Sequence, residues 1–97
     1  MTAYVIFTRE GPILDQAAME KYSSLNGESP APAKLTPLVV YGALESLEGE
    51  APDGAVVLQF PTMQDAREWY NSPEYQAAIP HRKKGANYRA FIVEGIA

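Results

Sequence analysis

The spacing of apolar positions along this chain changes between two patterns. Four short segments rich in apolar and β-branched residues predict strands, and two intervening segments repeat apolar residues every three or four positions, which is typical of helices. The predicted order is β-α-β-β-α-β, an α+β, ferredoxin-like arrangement in which an antiparallel sheet carries both helices on one face. The predicted strands cover residues 3–8, 37–44, 55–60 and 88–94.

The first helix is predicted to begin after Asp15, a good N-cap, and to end at Asn26-Gly27, since glycine readily adopts the left-handed conformation that ends helices. Its buried stripe is predicted at Leu14, Ala17, Ala18, Tyr22 and Leu25.

Two prolines, Pro30 and Pro32, forbid a continuous helix beyond that point. The Gly27–Pro37 stretch is therefore read as a loop with one short turn near residues 33–35, either a connector or the mouth of a pocket. Gly42, inside the second predicted strand, indicates a bulge or a close backbone approach.

The second helical region contains two start signals. Thr62 is a good N-cap with Asp65 three residues later, and Ser72 followed by Pro73 restarts the helix. Pro80 is expected to interrupt that second piece near Ile79, with at most one further helical turn over residues 81–86.

The strands are apolar on both faces. Tyr4 and Ile6 oppose Val5 and Phe7, and the third and fourth strands behave alike. One sheet with helices on one side would leave its other face in water, where polar residues are expected. The pattern therefore predicts a homodimer assembled sheet to sheet.

Composition narrows the function classes. The 97 residues fit one domain, 1–97, and 46% are apolar. The absence of cysteine excludes thiolate sites and fits the cytoplasm, and a single histidine excludes a multi-histidine metal site, so no metal and no cofactor are expected. A net charge of −4 argues against nucleic acid as a partner, and neither a membrane-spanning run nor an export signal is evident, so no membrane partner is expected.

Several motifs together resemble the bacterial family of domains of unknown function numbered 1330. The most specific is the stretch from Trp69 to Gln76, which includes serine, proline, glutamate and tyrosine in succession. Residues 3–6, 47–49 and 91–95 and the pair Pro80 and Arg82 add to the match. The resemblance implies the dimeric α/β-barrel superfamily, which includes small monooxygenases, isomerases, decarboxylase-like and dehalogenase-like enzymes, and sensing domains of transcriptional regulators.

Five residues are candidates for a site. The family often has arginine at the position of Arg82, whose guanidinium could hold an anion, although a surface ion pair with Glu48 or Glu74 is the alternative. Tyr75 could orient a carbonyl ligand or simply pack in the core, and Tyr4 is a further candidate for substrate binding. Glu48 and His81 are the candidates for proton transfer, and a solvated loop acid and an exposed histidine are the alternatives.

These residues leave several functions open. The first is binding or transformation of a small anionic or carbonyl-bearing metabolite in a pocket between helices and sheet, and whether the protein is an enzyme stays undecided. The second is a non-catalytic sensing or structural dimer module. A minor alternative is a heme-degrading monooxygenase, since Trp69 and His81 are similar in order to residues of those enzymes. The asparagine that they carry on the first strand is missing here.

Overall fold

The computed structural model describes residues 1–28 and 34–97, which form a four-stranded antiparallel sheet and three helices in an α+β, ferredoxin-like fold. In chain order the elements are β1 (Ala3–Arg9), α1 (Gln16–Glu28), β2 (Thr36–Val40), β3 (Gly54–Phe60), α2 (Met63–Tyr70), α3 (Pro73–Gly85) and β4 (Tyr88–Glu94).

The sheet has the strand order β2-β3-β1-β4, so β1 is central and pairs with both β3 and β4. The register places Val5 opposite Leu58 on one side and opposite Ile92 on the other. Because side chains alternate along a strand, these three residues share one face of the sheet, and Tyr4 and Ile6 lie on the opposite face.

The core lies between the centre of the sheet and the helices. Phe60 is its largest fully buried side chain, at 1% exposure. The buried cluster combines sheet residues with residues of α2 and α3, namely Val5, Phe7, Leu58, Phe60, Ala66, Tyr75 and Ile79. The helices therefore cover one face of the sheet only, as predicted from the order of elements.

The predicted helix starts are confirmed by their hydrogen bonds. The backbone N–H of Ala18 donates to Asp15 Oδ1 (3.0 Å), and the N–H of Asp65 donates to Thr62 Oγ1 (3.1 Å). Ser72 Oγ likewise accepts from a backbone N–H in the first turn of α3 (3.3 Å). Each side-chain oxygen satisfies a donor that the first helical turn leaves without a partner.

The predicted stripe of α1 is partly wrong. Leu14 precedes the helix and is 62% exposed, and Ala17 is exposed, whereas Ala18 is buried. The close contact with α3 is made instead by Met19: a Cβ at Gly85 would lie 2.5 Å from its Sδ, so a larger residue at position 85 would displace the Met19 side chain. The helix also continues through the expected Asn26-Gly27 end to Glu28.

The predicted interruption at Pro80 is wrong, because α3 is continuous from Pro73 to Gly85. Proline lacks the N–H that would bond one turn back, but Pro80 faces solvent, where water can serve the freed carbonyl. A helical stripe of buried residues on both sides of the proline holds the helix against the fold: Tyr75, Ala78, Ile79, Arg82 and Gly85.

The second strand is shorter than predicted. β2 ends at Val40, because Tyr41 has a φ of 52°, in the left-handed region that an extended strand cannot use. The bulge predicted at Gly42 lies between Pro37 and Val39 instead. The turn expected near 33–35 falls partly on residues outside the described ranges. No helix within residues 1–28 and 34–97 is long and apolar enough to cross a membrane.

Candidate functional site

A cavity of about 1080 Å³ lies between the helices and the sheet. Its walls come from α1, α3, the loop after β2 and the helix-covered face of the sheet, and most of the lining is apolar. Aromatic and aliphatic side chains such as Phe7, Leu58 and Trp69 form those walls. A concave, largely apolar space with a few polar groups is typical of small-molecule sites.

Arg82 is the one charged side chain among the described residues that is fully buried, at 5% exposure. Its position on the buried stripe of α3 directs it to the cavity, where its Cζ lies 5.3 Å from the ring centre of Phe7 and 5.4 Å from that of Tyr88. The rings favour the cation through their negative faces. Within the described parts of the chain, Arg82 forms no ion pair, and its buried Nε has no hydrogen-bond partner.

Tyr75 lies beside Arg82 and is 3% exposed. Its hydroxyl forms a 2.8 Å hydrogen bond with the hydroxyl of Tyr22 on α1, and its ring packs 4.2 Å from that of Trp69. Burial, and then the Tyr22 hydroxyl, raise the pKa of Tyr75, while the Arg82 guanidinium opposes that rise. The Tyr75 hydroxyl therefore holds its proton at neutral pH, and two phenol hydroxyls that share one hydrogen bond leave one O–H to donate to a ligand.

A second pair of tyrosines spans the end of the sheet. The hydroxyls of Tyr41, just after β2, and Tyr88, on β4, lie 2.6 Å apart. These strands are at opposite edges of the sheet, so the contact crosses over β3 and β1. The crossing requires Gly54, since a Cβ there would lie 2.8 Å from the Tyr41 ring. Burial and the hydrogen bond to Tyr88 raise the pKa of Tyr41.

Arg9 is a cavity residue that the sequence reading missed. It is the last residue of β1, and its register opposite Gly54 and Tyr88 places it on the helix-covered face. Its Nη2 donates to the carbonyl oxygen of Asp53 (3.1 Å), its Cζ lies 6.0 Å from the ring centre of Tyr41, and its Nε is buried. The alternation Val5, Phe7, Arg9 was the available signal, because it assigns the arginine to the core face.

The structure brings together two of the five predicted site residues, Tyr75 and Arg82. Glu48 lies in the exposed segment between β2 and β3, where its carbonyl accepts from Ser46 Oγ, and it does not line the cavity. His81 is half-buried on α3 outside the cavity lining. Tyr4 lies on the opposite face of the sheet.

The cavity offers no evident metal site. Across the described residues, no group of three histidine, cysteine, aspartate or glutamate side chains could hold an ion. Two carboxylates, Glu20 and Glu74, line the cavity, and both are exposed. Of the pair considered for a heme site, Trp69 lines the cavity and His81 does not. Arg82 and the tyrosine hydroxyls can together hold an anionic group or a polarised oxygen atom of a ligand.

Solved structures share this architecture at low sequence identity. A dimeric ferredoxin-like protein of unknown function from Bacteroides fragilis is 16% identical, with a TM-score of 0.62 over 97% of this chain and 96% of that chain. An EthD family protein from Bacillus halodurans is 14% identical, with a TM-score of 0.64 over 99% and 100%. A dimeric ferredoxin-like protein of unknown function from Jannaschia is 11% identical, with a TM-score of 0.66 over 98% and 100%. These similarities establish the fold.

The sequence itself identifies the family. No curated protein matches the chain. The family model described as Domain of unknown function (DUF1330) matches residues 2–96, which is almost the whole chain. The resemblance drawn from the Trp69 to Gln76 stretch is thereby confirmed, and the chain belongs to the DUF1330 family.

Proposed function

We propose that this protein binds a small metabolite with an anionic or carbonyl group in the cavity between its helices and its sheet. The observation that carries the proposal is the buried Arg82 guanidinium, which has no carboxylate partner among the described residues. A buried charge without an oppositely charged partner is costly, and a bound anion would relieve that cost. The guanidinium fork also matches the geometry of a carboxylate.

The neighbouring tyrosines would give the ligand its orientation. The Tyr22–Tyr75 pair lines the same cavity as Arg82 and keeps one proton to donate. Phe7, Leu58 and Trp69 would pack against the apolar part of the ligand. One cation, one directional donor and apolar walls together favour a small organic acid or a carbonyl compound over a bare inorganic ion.

Binding is better supported than catalysis. Among the described cavity residues, Tyr41 and Tyr75 have a shifted pKa, and both pKa values are raised. This favours protonated donors rather than proton-accepting bases. The candidates for proton transfer, Glu48 and His81, lie outside the cavity lining. Ligand binding is therefore the function that we favour.

We further propose that the protein is a homodimer in the cytoplasm, assembled through the open face of its sheet. Phe91 and Val93 are 48% and 42% exposed on that face, and Val39 adds to the apolar surface. Exposed apolar patches commonly mark interfaces between proteins. The Bacteroides fragilis and Jannaschia proteins of the same fold are described as dimers, which supports this arrangement.

The binding proposal is tested by thermal shift with small carboxylic acids, phenols and lactones. A ligand at about 100 times its Kd should stabilise the parent by about 2.7 kcal/mol and Arg82→Ala by much less. Arg67→Ala is the matched control, since Arg67 is exposed on α2. Arg82→Lys keeps the charge if the alanine variant fails to fold. Equal shifts in the parent and the Arg82 variants would remove Arg82 from the site.

The dimer is tested by sedimentation velocity at micromolar concentration. The parent should sediment as a dimer and Phe91→Glu as a monomer, because a charge on the open face would be buried in the interface. Ala77→Glu on the exposed side of α3 is the control and should remain dimeric. A monomeric parent would contradict the proposal.

A further inference from the structure

The cavity contains a second cation with unused hydrogen-bonding capacity. Arg9 donates through Nη2 to the backbone of Asp53, but its Nε is buried and has no hydrogen-bond partner within residues 1–26 and 34–97. No carboxylate of residues 1–26 and 34–97 lies within ion-pair distance of its guanidinium. Arg9 shares two features with Arg82, namely a buried Nε without a hydrogen-bond partner among the described residues and a place on the wall of the same cavity, but its side chain as a whole is only half-buried.

The two arginines pack at opposite ends of the tyrosine bridge, the hydrogen-bonded pair of Tyr41 and Tyr88. Arg9 lies against the ring of Tyr41, Arg82 lies against the ring of Tyr88, and the two tyrosine hydroxyls are hydrogen-bonded at 2.6 Å. Two positive charges on the wall of one cavity repel each other, and a single anionic group relieves only part of that repulsion. A ligand with two acidic groups would satisfy both cations.

We infer that Arg9 forms a second anion subsite and that the preferred ligand is a dicarboxylate, with one acidic group on Arg82 and the other on Arg9. The inference rests on the proposed function, since it uses the same cavity. The apolar walls between α3 and the sheet contact the hydrocarbon that joins the two carboxylates. The exposed Glu20 and Glu74 disfavour additional negative charge at the cavity surface.

The test is calorimetric titration with two matched series: succinate, glutarate and adipate against butyrate, pentanoate and hexanoate. In the parent, the best dicarboxylate should bind about 10- to 100-fold more tightly than the monocarboxylate of equal length, the usual value of a charge-assisted hydrogen bond. Arg9→Gln should reduce that ratio to about one, because it removes the proposed second anion subsite. Arg82→Gln should weaken both series, and the exposed Arg67→Gln should change neither.

The possible failures are distinguishable. If monocarboxylates bind through Arg82 but dicarboxylates bind no more tightly, the second subsite is refuted and the proposed function stands. If neither series binds, both proposals are refuted for carboxylates. If phenyl phosphate, with both charges on one group, depends equally on Arg9 and Arg82, the arginines share one subsite and the inference is wrong. Arg9→Lys, which keeps the charge and loses the fork, should give a reduced ratio if Arg9→Gln does not fold.

Discussion

The two faces of the sheet are built from alternate residues of the same strands, yet they have different environments. On the helix-covered face Val5, Phe7 and Phe60 are buried, whereas on the open face Phe91 and Val93 keep nearly half of their surface exposed. All of these residues are apolar, so residue type does not explain the difference. The presence of helices above one face does, and it separates the residues that hold the monomer together from those that we assign to assembly.

The largest expected effect on stability comes from a substitution on the helix-covered face of the sheet. Phe60→Ala should lower the free energy of unfolding by about 3–5 kcal/mol, because the loss of a buried ring leaves a cavity in the core. Denaturant titration at low protein concentration measures this loss. Phe91→Ala on the open face is the matched variant, and it should change the stability of the monomer by less than about 1 kcal/mol. Similar losses in both variants would erase the distinction between the faces.

The next largest effect concerns the hydrogen bond between the hydroxyls of Tyr22 on α1 and Tyr75 on α3. Tyr22→Phe leaves the buried Tyr75 hydroxyl without its 2.8 Å partner, which should cost about 1–3 kcal/mol of stability. Removing both hydroxyls should cost less than the sum of the two single changes, because no unpaired group then remains. A double-mutant cycle by thermal or chemical unfolding measures this coupling. Strict additivity would show that the contact contributes nothing.

Alkaline pH provides a third test of the covered face. Tyr75 has a raised pKa in the folded state, so its stabilisation is complete below the unfolded value of about 10 and is lost as the pH rises above it. The expected loss is about 1.4 kcal/mol per pH unit. The free energy of unfolding is measured for the parent and for Tyr75→Phe from about pH 8 to about pH 11, in steps of about one unit. It should fall less steeply with pH in the variant. Parallel profiles would contradict the assignment.

The smallest expected effect concerns the N-cap of α3, one of the helices that cover the sheet. Ser72→Ala removes the N-cap of α3 and should cost about 1 kcal/mol. Ser46→Ala, in the exposed segment between β2 and β3, should cost much less, although Ser46 Oγ also donates to a carbonyl. Thermal unfolding compares the two. Equal losses would show that the cap does not stabilise α3.

Most of the fold could be predicted because it depends on local signals. The order of elements and the caps at Asp15, Thr62 and Ser72 follow from spacing and from side-chain chemistry within four residues, and they are confirmed. The errors arise where distant contacts decide. Pro80 remains helical because residues on both sides of it pack on the fold, and β2 ends early where Tyr41 turns towards Tyr88.

The candidate site was only partly predictable. Arg82 was found through the family resemblance and Tyr75 through its ring with a polar hydroxyl, and they lie together because they are seven residues apart on one helix face. Arg9, Tyr22 and Tyr41 reach the same cavity from three other segments. Their proximity follows from strand order and register, which a single sequence does not reveal.

The contact between Gly54 and the Tyr41 ring has a consequence for how this family varies. A side chain at position 54 would collide with the ring, so the tyrosine bridge and a residue larger than glycine at that position exclude each other. Relatives with alanine or a larger residue at position 54 should therefore have a small residue at position 41, and this end of their cavity should be open. The pair of positions would then divide the family into subgroups with differently shaped sites, recognisable from sequence before any ligand is known.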